Sequence, residues 1–200
     1  CASFTMAGPA SGNVTFAGTV PIAFHGNVSF AATGITRSYT GAMSWAGNSS
    51  YTFTTNGLTL GSAMTVAGVG AAWTLGSALN NQTLNFTVSY GTFSTSASNY
   101  ALTCGSFLIS NNNIRAVNLN AATISLGGIS STAFSAGTTT NLTFNASTSQ
   151  INLTAATSGI SSGNLTFYNV SFTSAAATGI TITGANTFNT LSFAGQTTVG

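Results

Sequence analysis

No Asp, Glu or Lys occurs anywhere in the chain, and its permanently charged side chains are Arg37 and Arg115. That absence removes most active-site chemistry before any motif is sought. Glycoside hydrolysis needs a pair of carboxylates, and a Ser-His-Asp triad lacks its third member. Calcium and magnesium sites built from side chains lose their principal ligands. Zinc would have to be held by His25, Cys1 and Cys104, which lie far apart in sequence. A phosphate backbone calls for many basic residues, and two arginines do not make a basic groove. The chain therefore reads as neither enzyme nor metalloprotein nor nucleic-acid binder, and no cofactor is expected.

What remains is compatible with a folded protein. Apolar residues make up 44% of the 200, a globular share that sets the chain apart from disordered sequences. The formal net charge is only +2, so the surface has little repulsion to oppose self-association, and solubility rests on hydroxyls and amides. The expected partners are copies of itself or other structural subunits of one particle. No run of about 18 apolar residues indicates a membrane-spanning helix. An outer-membrane barrel would share the alternation described next, but these strands are too short and irregular for one.

Period-two alternation is the dominant pattern. Leu84, Phe86, Val88 and Tyr90 fall on one side of a run whose other side is Asn85, Thr87 and Ser89. Ile180–Thr183 and Leu191–Phe193 repeat the arrangement. Such runs predict strands with one buried face, and outward Thr favours strands. With no Glu or Lys and with 23 Gly, helices have little support.

Recurrence is the second pattern. Asn-(Val/Leu)-(Thr/Ser)-Phe appears at Asn13–Phe16, Asn27–Phe30, Asn141–Phe144, Asn164–Phe167 and Asn169–Phe172. Short strands centred near Leu119, Phe144, Phe167 and Phe193 are almost evenly spaced, and further strands are expected at Ile124–Leu126, Ile151–Leu153 and Ile180–Ile182. Even spacing of similar short strands marks a repeat architecture whose units must stack to bury their apolar faces. The expected fold is all-β: a parallel β-solenoid over residues 73–200, preceded by a less regular β-rich section, 1–72, that could serve in docking.

Gly127-Gly128, Ser162-Gly163-Asn164 and Asn111-Asn112-Asn113 read as corners where positive φ is tolerated. Stacked Asn at such corners could form amide ladders. Pro9 and Pro21, both early, leave the later ladders uninterrupted. Parallel stacking also accounts for the missing charges, because like residues would stand on like. Gln196–Gly200 resumes the alternation with no polar cap, so the coils are expected to continue or to be covered by another subunit. Cys1 fits either a processed lipoprotein end, with Ala2 and Ser3 following, or a missing upstream portion. Cys104 reads as a buried small hydrophobe; nothing in the sequence favours its pairing with Cys1.

From Trp73 onward the text resembles a known group. The stretches Trp73–Leu79, Ser110–Arg115, Asn141–Ser149 and Ile180–Asn189 are similar to the low-complexity, Thr/Ser/Asn-rich β-solenoid segments of large phage virion proteins and bacterial surface adhesins. The resemblance covers residues 73–200. It implies an exposed structural or adhesive role, in a virion or at a cell surface, and carries no catalytic residues.

Ten Asn-x-Ser/Thr triplets occur, as expected when Asn and Thr share the outward face of alternating strands. Tyr39, Trp45 and Tyr51 cluster with Arg37 in a Gly/Ser-rich stretch. They are the candidate contacts for a glycan or other partner, although such rings more often anchor a core. His25 reads as a turn residue, and Arg115 as a corner residue bonding carbonyls. The Thr52/Thr54 and Thr181/Thr183 pairs hint at an ice-matching surface, without recurring in every coil. The leading expectation is a non-enzymatic structural protein of a tail fibre, capsid decoration or extracellular filament. Glycan-binding adhesin and ice-binding protein are the alternatives.

Overall fold

The computed structural model describes residues 3–128, 130–174 and 179–194. Cys1 and the Gln196–Gly200 stretch lie outside them. All secondary structure described is strand, and every pairing is parallel. The chain winds into a β-solenoid in which each coil visits up to three sheets. The first sheet has seven strands: Ser3–Met6, Asn27–Phe30, Ser50–Thr54, Ala72–Leu75, Gly91–Ser94, Arg115–Asn118 and Leu142–Asn145. The second has six: Leu79–Asn80, Leu102–Cys104, Thr123–Leu126, Gln150–Leu153, Thr166–Phe172 and Thr187–Phe193. The third has eight, roughly one per coil: Ile22–Phe24, Met43–Trp45, Met64–Val66, Phe86–Val88, Phe107–Leu108, Ser130–Ala136, Thr157–Ser162 and Gly179–Thr183.

The alternation in sequence becomes the inside and outside of the coil. Met64-Thr65-Val66, Phe86-Thr87-Val88 and Leu102-Thr103-Cys104 each bury their first and third residues. Parallel register then sets inward residues in columns. On the third sheet Ile22, Met43, Met64, Phe86, Phe107, Phe134, Ile160 and Ile182 are successive partners. Within that column the Phe86, Phe107 and Phe134 rings stack at 5.7 and 5.6 Å, 14° from parallel in both cases. On the second sheet the column is Leu79, Leu102, Ile124, Ile151, Val170 and Leu191. Cys104 heads its neighbour, above Leu126, Leu153 and Phe172, as a wholly buried free thiol.

The first and third sheets run through residues 72–73 without a break. The irregularity of the N-terminal part is confined to one side. There Val14–Gly18 and Ile35–Tyr39 form a separate two-stranded sheet, and the next coil has no strand at the equivalent place; its links there include a bond from the Leu60 amide to the Asn80 carbonyl (2.8 Å) and one from Ser62 Oγ to the Tyr39 carbonyl (3.4 Å). A second change comes late. After Leu142–Asn145 the first sheet ends, and the seven-residue strand Thr166–Phe172 serves for two: Phe167 lies 5.4 Å from the Phe144 ring while Val170 pairs with Ile151.

The strands expected around Ile124–Leu126, Ile151–Leu153 and Ile180–Ile182 are present. The even spacing of Leu119, Phe144, Phe167 and Phe193, however, joins residues from different columns. Leu119 sits at a corner just past Arg115–Asn118; Phe188 stacks on Phe167, and Phe193 on Phe172. Coil length also varies, from a 19-residue step between Gln150 and Asn169 to 28 between Ser130 and Ser158. Among the three predicted corners, positive φ is adopted by Asn164 (56°). The Asn111–Asn113 corner uses side-chain bonds instead, Asn111 and Asn113 donating to the Val88 and Ser89 carbonyls one coil back. Asn side chains mostly bond in this way to the backbone of a neighbouring coil; Asn189 to Asn169 is the amide–amide link between coils among the described residues.

Phe107 is the centre of the ring column, wholly buried between Phe86 and Phe134. Phe107→Ala is expected to cost about 3–5 kcal/mol in urea unfolding, whereas the outward Thr65→Ala should cost less than about 1 kcal/mol. Equal effects would contradict the inside–outside assignment.

Candidate functional site

The aromatic cluster expected to meet a glycan turns inward. Trp45 has 0% exposure and stacks on Phe53 at 4.2 Å, with Trp73 and Phe86 at 5.5 and 5.3 Å. Tyr39 is buried against Phe16, its ring 4.7 Å away, and its hydroxyl donates to the Val20 carbonyl. Tyr51 is half-buried, lying over Gly47 and 4.9 Å from the Trp73 ring. A ring with no exposed face has none to offer a sugar, so Tyr39 and Trp45 do not form the platform. The inward phase of Met43-Ser44-Trp45, with Met43 and Trp45 buried, is the reason.

The structure instead places a cleft on the outside, at the corners joining third-sheet strands to first-sheet strands. One coil turns this corner in two residues, Ser89 and Tyr90, between Val88 and Gly91. The coil before it uses Ala67–Ala71, and the coil after it Ile109–Ile114. The short corner is therefore recessed between two longer ones, whose tips Val69 and Ile114 are 70% and 79% exposed. The resulting cleft has a volume of about 550 Å³, and its lining includes Tyr90, Thr92, Asn112, Asn141 and Thr143. Ligand sites usually fall in the range of about 300–1,000 Å³.

Two features hold the recess open. Gly91 sits at φ 68°, and a Cβ there would stand 2.4 Å from the Ala71 carbonyl oxygen and 2.5 Å from that of Gly68. Only glycine lets the chain turn this tightly against the coil beneath. Arg115 braces the other side. Its side chain is buried, with Nε donating to Ile109 O (2.8 Å), Nη1 to Asn113 O (2.8 Å) and Thr140 O (3.0 Å), and Nη2 to Thr138 O. One guanidinium thus ties together two successive corners, satisfying carbonyls that a corner leaves without ladder partners. This is the carbonyl-bonding role expected from its place after the Asn run. Burial pulls its pKa down from the ordinary arginine value, but such a group stays protonated at any physiological pH.

Sequence alternation assigned Tyr90 to the core, as the fourth apolar residue after Leu84, Phe86 and Val88. The strand spans only Phe86–Val88. Beyond it the chain has already begun to turn, so Tyr90 leaves the inward phase and is half-exposed in the cleft. The Tyr90-Gly91 step was the available signal, a glycine directly after an aromatic at the end of an alternating run. Comparison with known proteins found no matching family model, curated protein or solved structure.

Two outcomes follow from these geometries. Arg115→Met strips the donors from four carbonyls and should destabilise the protein by about 3 kcal/mol or more; a loss below about 1 kcal/mol in chemical denaturation would count against the brace. The pH response should be one-sided. The chain has no side-chain carboxylate, so the usual source of acid denaturation is missing. Burial raises the Cys104 thiol and the Tyr39 phenol above their ordinary values of 9.0 and 10.0, a backbone hydrogen bond partly opposing the shift at Tyr39. Both are held neutral in the fold, so the stability they contribute is complete below those values and declines as pH rises past them. Melting temperature should stay flat from about pH 3 to 8 and fall above about pH 9. A steep acid limb would contradict this.

Proposed function

We propose that this chain is a non-enzymatic structural segment of an appendage, either a virion fibre or decoration or an extracellular filament, in which stacked coils form a stiff column. The observation that carries the reading is the outward face. Thr52, Thr74, Ser94, Asn118 and Asn145 are register partners from coil to coil, and so are Thr65 and Thr87 and, in another sheet, Thr103, Ser125, Asn152, Ser171 and Ser192. A column of small uncharged polar groups hydrates the rod without the repulsion that stacked charges would bring. Eight strands in the third sheet, at about 4.8 Å per coil, give a rod on the order of 40 Å long. The resemblance of residues 73–200 to phage and adhesin solenoid segments supports the same role. An ice-matching surface has less behind it, since Thr181 and Thr183 stand on Gly159 and Ser161 rather than on threonines.

Cryo-electron microscopy of the native particle or cell surface, with a gold-labelled antibody to this chain, should find it at regular positions along an appendage. Label confined to a freely diffusing secreted monomer would refute the structural role.

A further inference from the structure

The cleft at Tyr90 has a chemistry that a plain spacer does not need. Its aromatic ring has neither a ring partner nor a hydroxyl hydrogen bond among the described residues, unlike the two tryptophans and Tyr39, which are packed or bonded in the core. Among the described residues the Asn112 carboxamide and the Thr92 and Thr143 hydroxyls also have no side-chain hydrogen-bond partner, although the neighbouring Asn111, Asn113 and Asn141 amides are engaged. Thr92 and Thr143 are outward partners on either side of Ala116, two coils apart, which puts their hydroxyls about 10 Å from one another. The tips Val69 and Ile114 add apolar edges. The cleft thus offers an aromatic face, aliphatic rims, and hydroxyl and amide groups free to bond.

It presents no charge. Arg115 is the cation of the lining, yet its side chain is 2% exposed and four of its N–H bonds are directed at backbone carbonyls. Those oxygens fence the guanidinium with negative partial charge, so an anion in the cleft would meet carbonyl dipoles rather than free donors. A ligand suited to the lining is uncharged, carries several hydroxyls, and has one apolar face to lie on an aromatic ring. A neutral pyranose fits each requirement: its axial C–H face packs on the ring while equatorial hydroxyls reach amides and threonines. The volume of about 550 Å³ accommodates a short oligosaccharide rather than a single small ion.

We infer that the Tyr90 cleft is a binding site for a neutral oligosaccharide of hexose or N-acetylhexosamine units. The inference goes beyond the structural role and does not depend on it. Thr143 supplies a second handle on the site, because its exposed side chain can be enlarged without touching the core.

Saturation-transfer difference NMR on the full chain would test it, using a panel of neutral di- to tetrasaccharides alongside sialylated and sulfated counterparts. At least one neutral sugar should receive saturation, with ring C–H protons strongest. Tyr90→Ala should weaken binding roughly tenfold, the order expected for losing a stacked ring. Tyr90→Phe should retain binding, and Thr143→Trp should block it while circular dichroism stays that of the wild type. The proposal is overturned if no neutral sugar in the panel binds, if only anionic sugars bind, or if binding survives both Tyr90→Ala and Thr143→Trp. A negative result here leaves the appendage-imaging result unaffected, so the two readings fail separately.

Discussion

In-register parallel stacking is the constraint from which the remaining features follow. Each residue stands directly on its counterpart one coil away, so any side chain placed once must be compatible with its own kind or near kin placed again. Apolar groups gain from this arrangement, as the Phe86–Phe107–Phe134 stack illustrates, each ring pair adding about 0.5–1.5 kcal/mol beyond area burial. Charges lose by it. Small hydroxyls and amides are the neutral compromise, bonding to water or to the carbonyl next door. A chain without acidic residues is thereby a reasonable solution to the geometry.

The same constraint explains how the one wholly buried charge is tolerated. Arg115 heads a first-sheet strand, partnered by Gly91 on one side and Leu142 on the other, neither of which brings a second charge near it. Instead of a counterion it gathers four backbone carbonyls. Corners are where a solenoid has such carbonyls to spare, because there the ladder bonds are interrupted. Arg37 follows a smaller version of this logic, donating to the Tyr39 carbonyl (2.7 Å), with its guanidinium packed close to Gly61.

How much could be read from residues alone depended on the range of the physics involved. Strand phase is local, so Ile124–Leu126, Ile151–Leu153 and the inward Cys104 were legible from alternation. Recurrence revealed that coils stack. It did not reveal which phenylalanine stands on which, because coil lengths differ and spacing along the chain is only a proxy for height along the axis. The aromatic cluster misled for a related reason. Composition marks Trp45 and Tyr39 as valuable rings, but the two-residue phase of their own strands decides that they point inward. Tyr90 was missed because alternation has no term for where a strand stops; a corner only two residues long is set by the coils above and below it.

That short corner has a wider implication for how such a column can diversify. Steps of 19 to 27 residues coexist with in-register pairing, and the pair with a 28-residue step shifts register within its strand, between Ser130 and Phe134, so added or deleted residues are absorbed mostly at the bends and leave most of the ladders in phase. Surface relief and scaffold are consequently uncoupled: bosses and hollows can be cut at chosen heights, much as teeth are filed on a key whose shank stays straight.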